Sequence, residues 1–102
     1  MSSVDLSEIQ GFDWDQGNIH KNEKKHGVTW KECEEVFVGK VYASEDIKHS
    51  KKEIRYYVLG TTFQGRDMFI SFTIRSNKIR IISARSQNKK ERIKFTNFSQ
   101  AI

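Results

Sequence analysis

Two apolar runs separated by four polar residues limit what this chain can fold into more than any other feature. Met68-Phe69-Ile70-Ser71-Phe72-Thr73-Ile74 and Ile79-Arg80-Ile81-Ile82-Ser83-Ala84-Arg85 flank Arg75-Ser76-Asn77-Lys78. β-Branched and aromatic content makes both runs strands, and Ser76-Asn77 tolerates the angles of a two-residue hairpin turn. Such a turn sets Ile74 opposite Ile79, Phe72 opposite Ile81, Ile70 opposite Ser83 and Met68 opposite Arg85. By alternation these side chains share the core face, and Arg66 falls on that face at the same end as Arg85. Arg80, opposite Thr73, points from the other face with Phe69, Ser71, Ile82 and Ala84. A β-bulge in the hairpin would reverse this parity.

The other elements can be placed around that hairpin. Residues 1–8 read as a loose terminus, and Ile9 to Trp14 as a short strand. Asp13 or Asp15 caps a helix running to about Lys25, with Gly27 as its left-handed stop. Thr29-Trp30-Lys31-Glu32 is a capping-box pattern opening a second helix, whose stripe of Trp30, Cys33, Val36 and Phe37 suits a sheet. Val41-Tyr42-Ala43 is a short strand, 44–53 a mobile charged loop, and Ile54 to Leu59 a strand. Ser86 caps a last helix, from about Gln87 to Phe98, with Ile93 and Phe98 inward. The sum is one α+β domain over residues 1–102, an antiparallel sheet of three to four strands with two N-terminal helices and a C-terminal helix, all packed on one face. Tyr56, Val58, Phe69 and Ile82 then make the other face an apolar patch that a partner chain would cover.

The net charge of +5 favours a polyanion or an acidic protein as partner. The lone Cys33 excludes an internal disulfide and reads as a small buried hydrophobe, and no cysteine-histidine cluster has zinc spacing. No metal or other cofactor is expected. The first twenty residues hold Asp5, Glu8, Asp13 and Asp15 and no apolar core of a leader, and no run is long enough to cross a bilayer. A cytoplasmic protein without membrane contact is the expectation.

Several short motifs together resemble a known family. Phe12-Asp13-Trp14-Asp15, Asn22, Lys25-His26-Gly27-Val28 with Trp30, Glu35-Val36-Phe37, Arg55-Tyr56 through Leu59-Gly60, Gly65-Arg66, Ile79 to Arg85, and Glu91-Arg92 are similar, in order and spacing, to the BrnT toxins of type II toxin-antitoxin systems. The chain departs from that pattern at Asn18, where the family usually has lysine, and in its loop 44–53. The resemblance implies a RelE-like fold and an endoribonuclease that arrests translation. It also implies neutralisation by a BrnA-type antitoxin with a ribbon-helix-helix domain, through which alone the complex would reach operator DNA.

Metal-independent RNA cleavage needs the 2′-OH deprotonated, the 5′-oxygen protonated and the phosphorane's charge stabilised. Arginine forks suit the last task, so Arg66 and Arg85 are candidates to clamp the scissile phosphate, with Arg80 assisting. The alternative for each is an ion pair closing the core rim, with Glu91 or Asp67. His26 is the candidate for proton transfer, or else only a helix-end residue; Glu91 is a second candidate base. Lys25, Lys89, Lys90 and Arg92 are candidates to grip the RNA backbone, and the last three equally to dock an acidic antitoxin. The rival class is a non-catalytic binding module using the same basic rim and the rings of Tyr56, Tyr57 and Phe69.

Overall fold

The computed structural model describes residues 4–101. The hairpin at its centre consists of two nine-residue strands, β4 (Asp67–Arg75) and β5 (Lys78–Ser86). Ser76 and Asn77 both have positive φ, 51° and 62°, as a two-residue turn that follows strand twist requires. Ile74 faces Ile79 and Phe72 faces Ile81, as the turn dictates. A bulge then intervenes between Ser71 and Phe72, and Ser71 pairs with Ser83, Ile70 with Ala84, Phe69 with Arg85 and Met68 with Ser86. Ile82 is the extra residue. Its insertion reverses the parity of the second half of β5, so Ala84 enters the core and Arg85 leaves it.

Around the hairpin the sheet has five strands among the described residues, one more than the upper expectation, and it is mixed rather than purely antiparallel. Strand β3 (Tyr56–Thr61) pairs antiparallel with β4, and β2 (Tyr42–Glu45) antiparallel with β3. The predicted strand over Ile9 to Trp14 shrinks to β1 (Gly11–Phe12), which runs parallel to Lys78 and Ile79 of β5. The order is β1-β5-β4-β3-β2.

Helix α1 spans only Lys21–His26, because residues 15–20 turn on local bonds. The Asn18 side chain accepts from the Asp15 amide and donates to the Asp13 carbonyl, which diverts the chain before helix can start. Gly27 closes α1 in the left-handed region, φ 66°. Helix α2 (Trp30–Val38) begins with the predicted capping box, Thr29 and Glu32 each bonding the other's backbone amide. Helix α3 (Lys89–Gln100) is capped by Asn88 through a second box with Glu91, rather than by Ser86.

The core lies between the sheet and α2. Cys33 and Val36 pack with Val58, Met68, Ile70, Phe72, Ile79, Ile81 and Ala84. At Gly60 a Cβ would stand 2.7 Å from Val36 Cγ1, so only glycine lets α2 approach β3 this closely. Burial, then the charges of Glu32 and Glu34, push the Cys33 thiol up to about 12, leaving it an inert apolar group.

Tyr56 and Val58, expected on the outer face, belong to the core side, because they pair with Phe72 and Ile70. The outer face instead carries Tyr57, Leu59 and Phe69, and α3 lies over them: Phe98 meets the Tyr42 ring at 5.4 Å, and Lys94 bonds the Tyr57 hydroxyl. The helices therefore occupy both faces, and of the patch assigned to a partner Tyr56 and Val58 turn to the core while Phe69 lies under α3. Ile93 is 54% exposed, not inward, while Phe98 does turn toward the sheet. Of the terminus read as loose, residues 1–3 lie outside the described residues, whereas Val4 and Leu6 pack against the core. The segment 44–53 contains the end of β2 and a short 3-10 turn, Ile47–His49.

Candidate active site at the end of the central strand

The last residues of β5 gather most of the chemistry. Thr62, Gly65 and the Arg66 backbone close a tight turn, with the Thr62 amide donating to the Arg66 carbonyl and the Arg66 amide to the Thr62 hydroxyl. That turn aims the Arg66 side chain at the end of α1. Its Nε donates to Ser86 Oγ at 3.1 Å, and its terminal nitrogens donate to the carbonyls of Gly27 at 3.2 Å and His26 at 3.0 Å. These acceptors are neutral, and among the described residues Arg66 makes no ion pair. Its positive charge is uncompensated. Two of its five N–H bonds are left over after those three contacts.

Arg85 reaches the same place from the opposite face. One terminal nitrogen donates to Glu91 Oε1 at 2.8 Å and to the Ser86 carbonyl, the other to Glu91 Oε2 at 3.0 Å, and the guanidinium lies 4.2 Å above the Phe69 ring. The Glu91 hydrogen bond, against some desolvation, raises the Arg85 pKa further. Burial pushes the Glu91 carboxyl up, but the Arg85 hydrogen bond, the Asn88 amide and the Arg85 charge outweigh it and hold Glu91 below the usual range. The expected meeting of Arg66 and Arg85 on one face is thus replaced by a meeting across the strand end, with Ser86 touching both.

Arg80 stands apart. It pairs with Asp15 at 2.9 Å and Asp13 at 3.6 Å, and the Asp15 hydrogen bond raises its pKa. This ties the turn before α1 to the sheet. The His26 ring is exposed at the end of α1 beside the Arg66 contact, and it makes no hydrogen bond among the described residues. Lys25, Lys89 and Lys90 are exposed, while Arg92 donates to the Gln87 carbonyl.

Two residues that hold α1 in place carried no assigned role in the sequence. Asn22, 4% exposed, accepts from the Ala84 amide, and Lys21 donates to the carbonyl of the bulge residue Ile82. Asn22 is among the family-like positions, and a polar residue on the inward side of so short a helix was the available signal. Among the described residues no three His, Cys, Asp or Glu side chains cluster as a metal site would. No helix of the described residues is long and apolar enough to cross a membrane.

Glu91 gives a pH test. A carboxyl whose pKa is depressed by folding contributes stability above its unfolded value, about 4.3, and loses it as pH falls through the lower folded value. Replacing Glu91 by Gln is therefore expected to lower the melting temperature at pH 7 and to reduce its fall between about pH 5 and 3. A variant with the wild-type acid profile would show that the Arg85 pair contributes nothing.

A family model described as "Ribonuclease toxin, BrnT, of type II toxin-antitoxin system" matches residues 14–91, a stretch that includes His26, Arg66, Arg80, Arg85 and Glu91. No curated protein matches the chain.

Proposed function

The chain belongs to the BrnT family of ribonuclease toxins of type II toxin-antitoxin systems, and from that premise we propose that it is a metal-independent endoribonuclease whose cleaved linkage crosses the strand end at Ser86. The observation that carries this is the uncompensated Arg66 charge. A guanidinium held rigidly by three neutral acceptors keeps its full field for a phosphate, and needs no reorganisation when the phosphorane forms.

In this reading Arg66 binds the non-bridging oxygens and stabilises their added charge in the transition state. His26, on the rim beside it, exchanges the proton of the attacking 2′-OH or the leaving 5′-oxygen. Arg85 approaches the same phosphodiester from the outer face, oriented by Glu91 and Phe69. Arg80 acts indirectly, by anchoring the turn that positions α1. Lys25, Lys89, Lys90 and Arg92 add backbone grip. RNA cleavage would stop translation in the cytoplasm. A BrnA-type antitoxin with a ribbon-helix-helix domain would neutralise the toxin and link it to operator DNA.

The deciding experiment incubates the purified chain with single-stranded RNA in excess chelator. Fragments ending in 2′,3′-cyclic phosphate are the expected result, since the 2′-OH is the nucleophile. Intact RNA with retained binding would replace the enzyme reading by that of a non-catalytic module.

A further inference from the structure

The basic segment between β2 and β3, which has no task in the cleavage scheme, forms a hollow of about 490 Å³ lined by His49, Lys51, Lys52, Glu53 and Arg55. It is preformed. The Asp46 amide donates to the Arg55 carbonyl at 2.7 Å, while Ser50 Oγ donates to the Asp46 carbonyl and accepts from the Arg55 amide. Its one lining carboxylate is already matched, because Arg75 takes both oxygens of Glu53 at 2.9 and 3.0 Å. The side chains of Lys51, Lys52 and Arg55 make no hydrogen bond or ion pair within 4 Å among the described residues. Three cations thus face one concavity whose single carboxylate, Glu53, is held by Arg75 and feels only the more distant charge of Arg55.

We propose that this hollow is a second RNA site, holding the phosphate backbone of the substrate away from the cleaved linkage. The proposal rests on the ribonuclease reading and adds where the RNA runs. Protein interfaces draw most of their energy from buried aromatic and arginine anchors in apolar pockets; this lining has no apolar side chain. Flexible, hydrated lysines suit a mobile chain of phosphates.

The Glu53–Arg75 pair ties the hollow to one end of β4, and Arg66 precedes the other end. At about 3.4 Å per residue the nine residues of β4 separate the two sites by roughly 27 Å. A stacked strand carries one phosphate about every 3.4 Å, so about eight nucleotides are needed to reach both.

The test measures fluorescence anisotropy of labelled single-stranded 2′-O-methyl oligonucleotides, which resist 2′-OH attack, at lengths of about four and about twelve nucleotides. The variant is Lys51→Gln, Lys52→Gln, Arg55→Gln, which removes no side-chain hydrogen bond or close ion pair among the described residues and only the exposed charge of Arg55 acting on Glu53. It should bind the long probe about tenfold more weakly, with a log-log salt slope shallower by about 2, from three contacts at about 0.7 each. Short-probe affinity and melting temperature should not change. Unchanged long-probe affinity, or equal weakening at both lengths, would overturn the proposal. So would loss of antitoxin binding with RNA affinity intact, which would give the hollow to a protein. A wild-type chain that shows the length effect but leaves ordinary RNA uncut would sink the ribonuclease reading and keep the hollow; cutting without any length effect would do the reverse.

Discussion

Replacing Arg66 by alanine is expected to lower the rate of RNA cleavage by about 10²- to 10³-fold, the usual loss when a preorganised charged donor is removed from the transition state. The same side chain bonds the carbonyls at the end of α1, so a purely structural account makes a different forecast. Losing charged hydrogen bonds to a helix end costs about 1.5–3 kcal/mol of stability and leaves the rate per folded molecule unchanged. Rate and stability must therefore be measured on one preparation, by single-turnover cleavage and by urea unfolding. Arg66→Lys separates them further. Lysine keeps the charge but cannot present a fork to two phosphate oxygens while bonding two carbonyls, so it should recover binding of RNA more than turnover. Wild-type single-turnover rates in both variants would remove Arg66 from the chemistry and leave it as the cap of α1. Antitoxin binding is expected to survive in both.

How much of this arrangement the sequence disclosed depends on the range of the interactions involved. The capping box at Thr29 and the turn at Ser76-Asn77 were readable because a few adjacent residues decide them. Pairing near the turn followed, as far as Phe72 and Ile81. The bulge beyond was not readable: Ile81-Ile82 is an apolar doublet in which either residue can face the core, and the choice is supported by Lys21 and Asn22, 61 and 62 residues away, which bond the Ile82 carbonyl and the Ala84 amide. One inserted residue moved Arg85 to the face opposite Arg66, so the expected placement of the two arginines on one face does not hold. The parallel contact of β1 has two residues and no periodicity to betray it. Helix α3 offered little apolar signal, and its place on the outer face depends on Tyr42 and Tyr57, which belong to other strands. The Arg85–Glu91 pair was foreseen as an alternative to catalysis; the structure has the pair, and orienting Arg85 is compatible with a role beside the phosphate.

The largest loss of stability is expected at Phe72, and it bears on the site because Phe72 stands at the bulge. The side chain is 0% exposed and meets Phe37 of α2 at 5.4 Å and Tyr56 of β3 at 5.5 Å. Phe37 in turn meets Phe12 of β1, also at 5.4 Å. One ring thus joins the helix layer to the middle of the sheet and, through Phe37, to its edge. Phe72→Ala should cost about 3–5 kcal/mol, the sum of lost transfer energy and an incompletely collapsed cavity. That is about a fifth or more of the total stability of a domain this size, about 5–15 kcal/mol. The midpoint of thermal unfolding should fall by roughly 12–40 °C, at about 4–8 °C per kcal/mol. Phe72→Leu fills most of the space and should cost less than half as much, with the pairing of Phe69 and Arg85 retained and cleavage close to wild type. Should the alanine variant lose under about 1 kcal/mol in urea unfolding, well below the usual cost of a buried Phe→Ala change, the ring would not be the keystone of the core. The register of β5, and with it the face on which Arg85 emerges, would then have to be held by the α1 contacts to Ile82 and Ala84 alone.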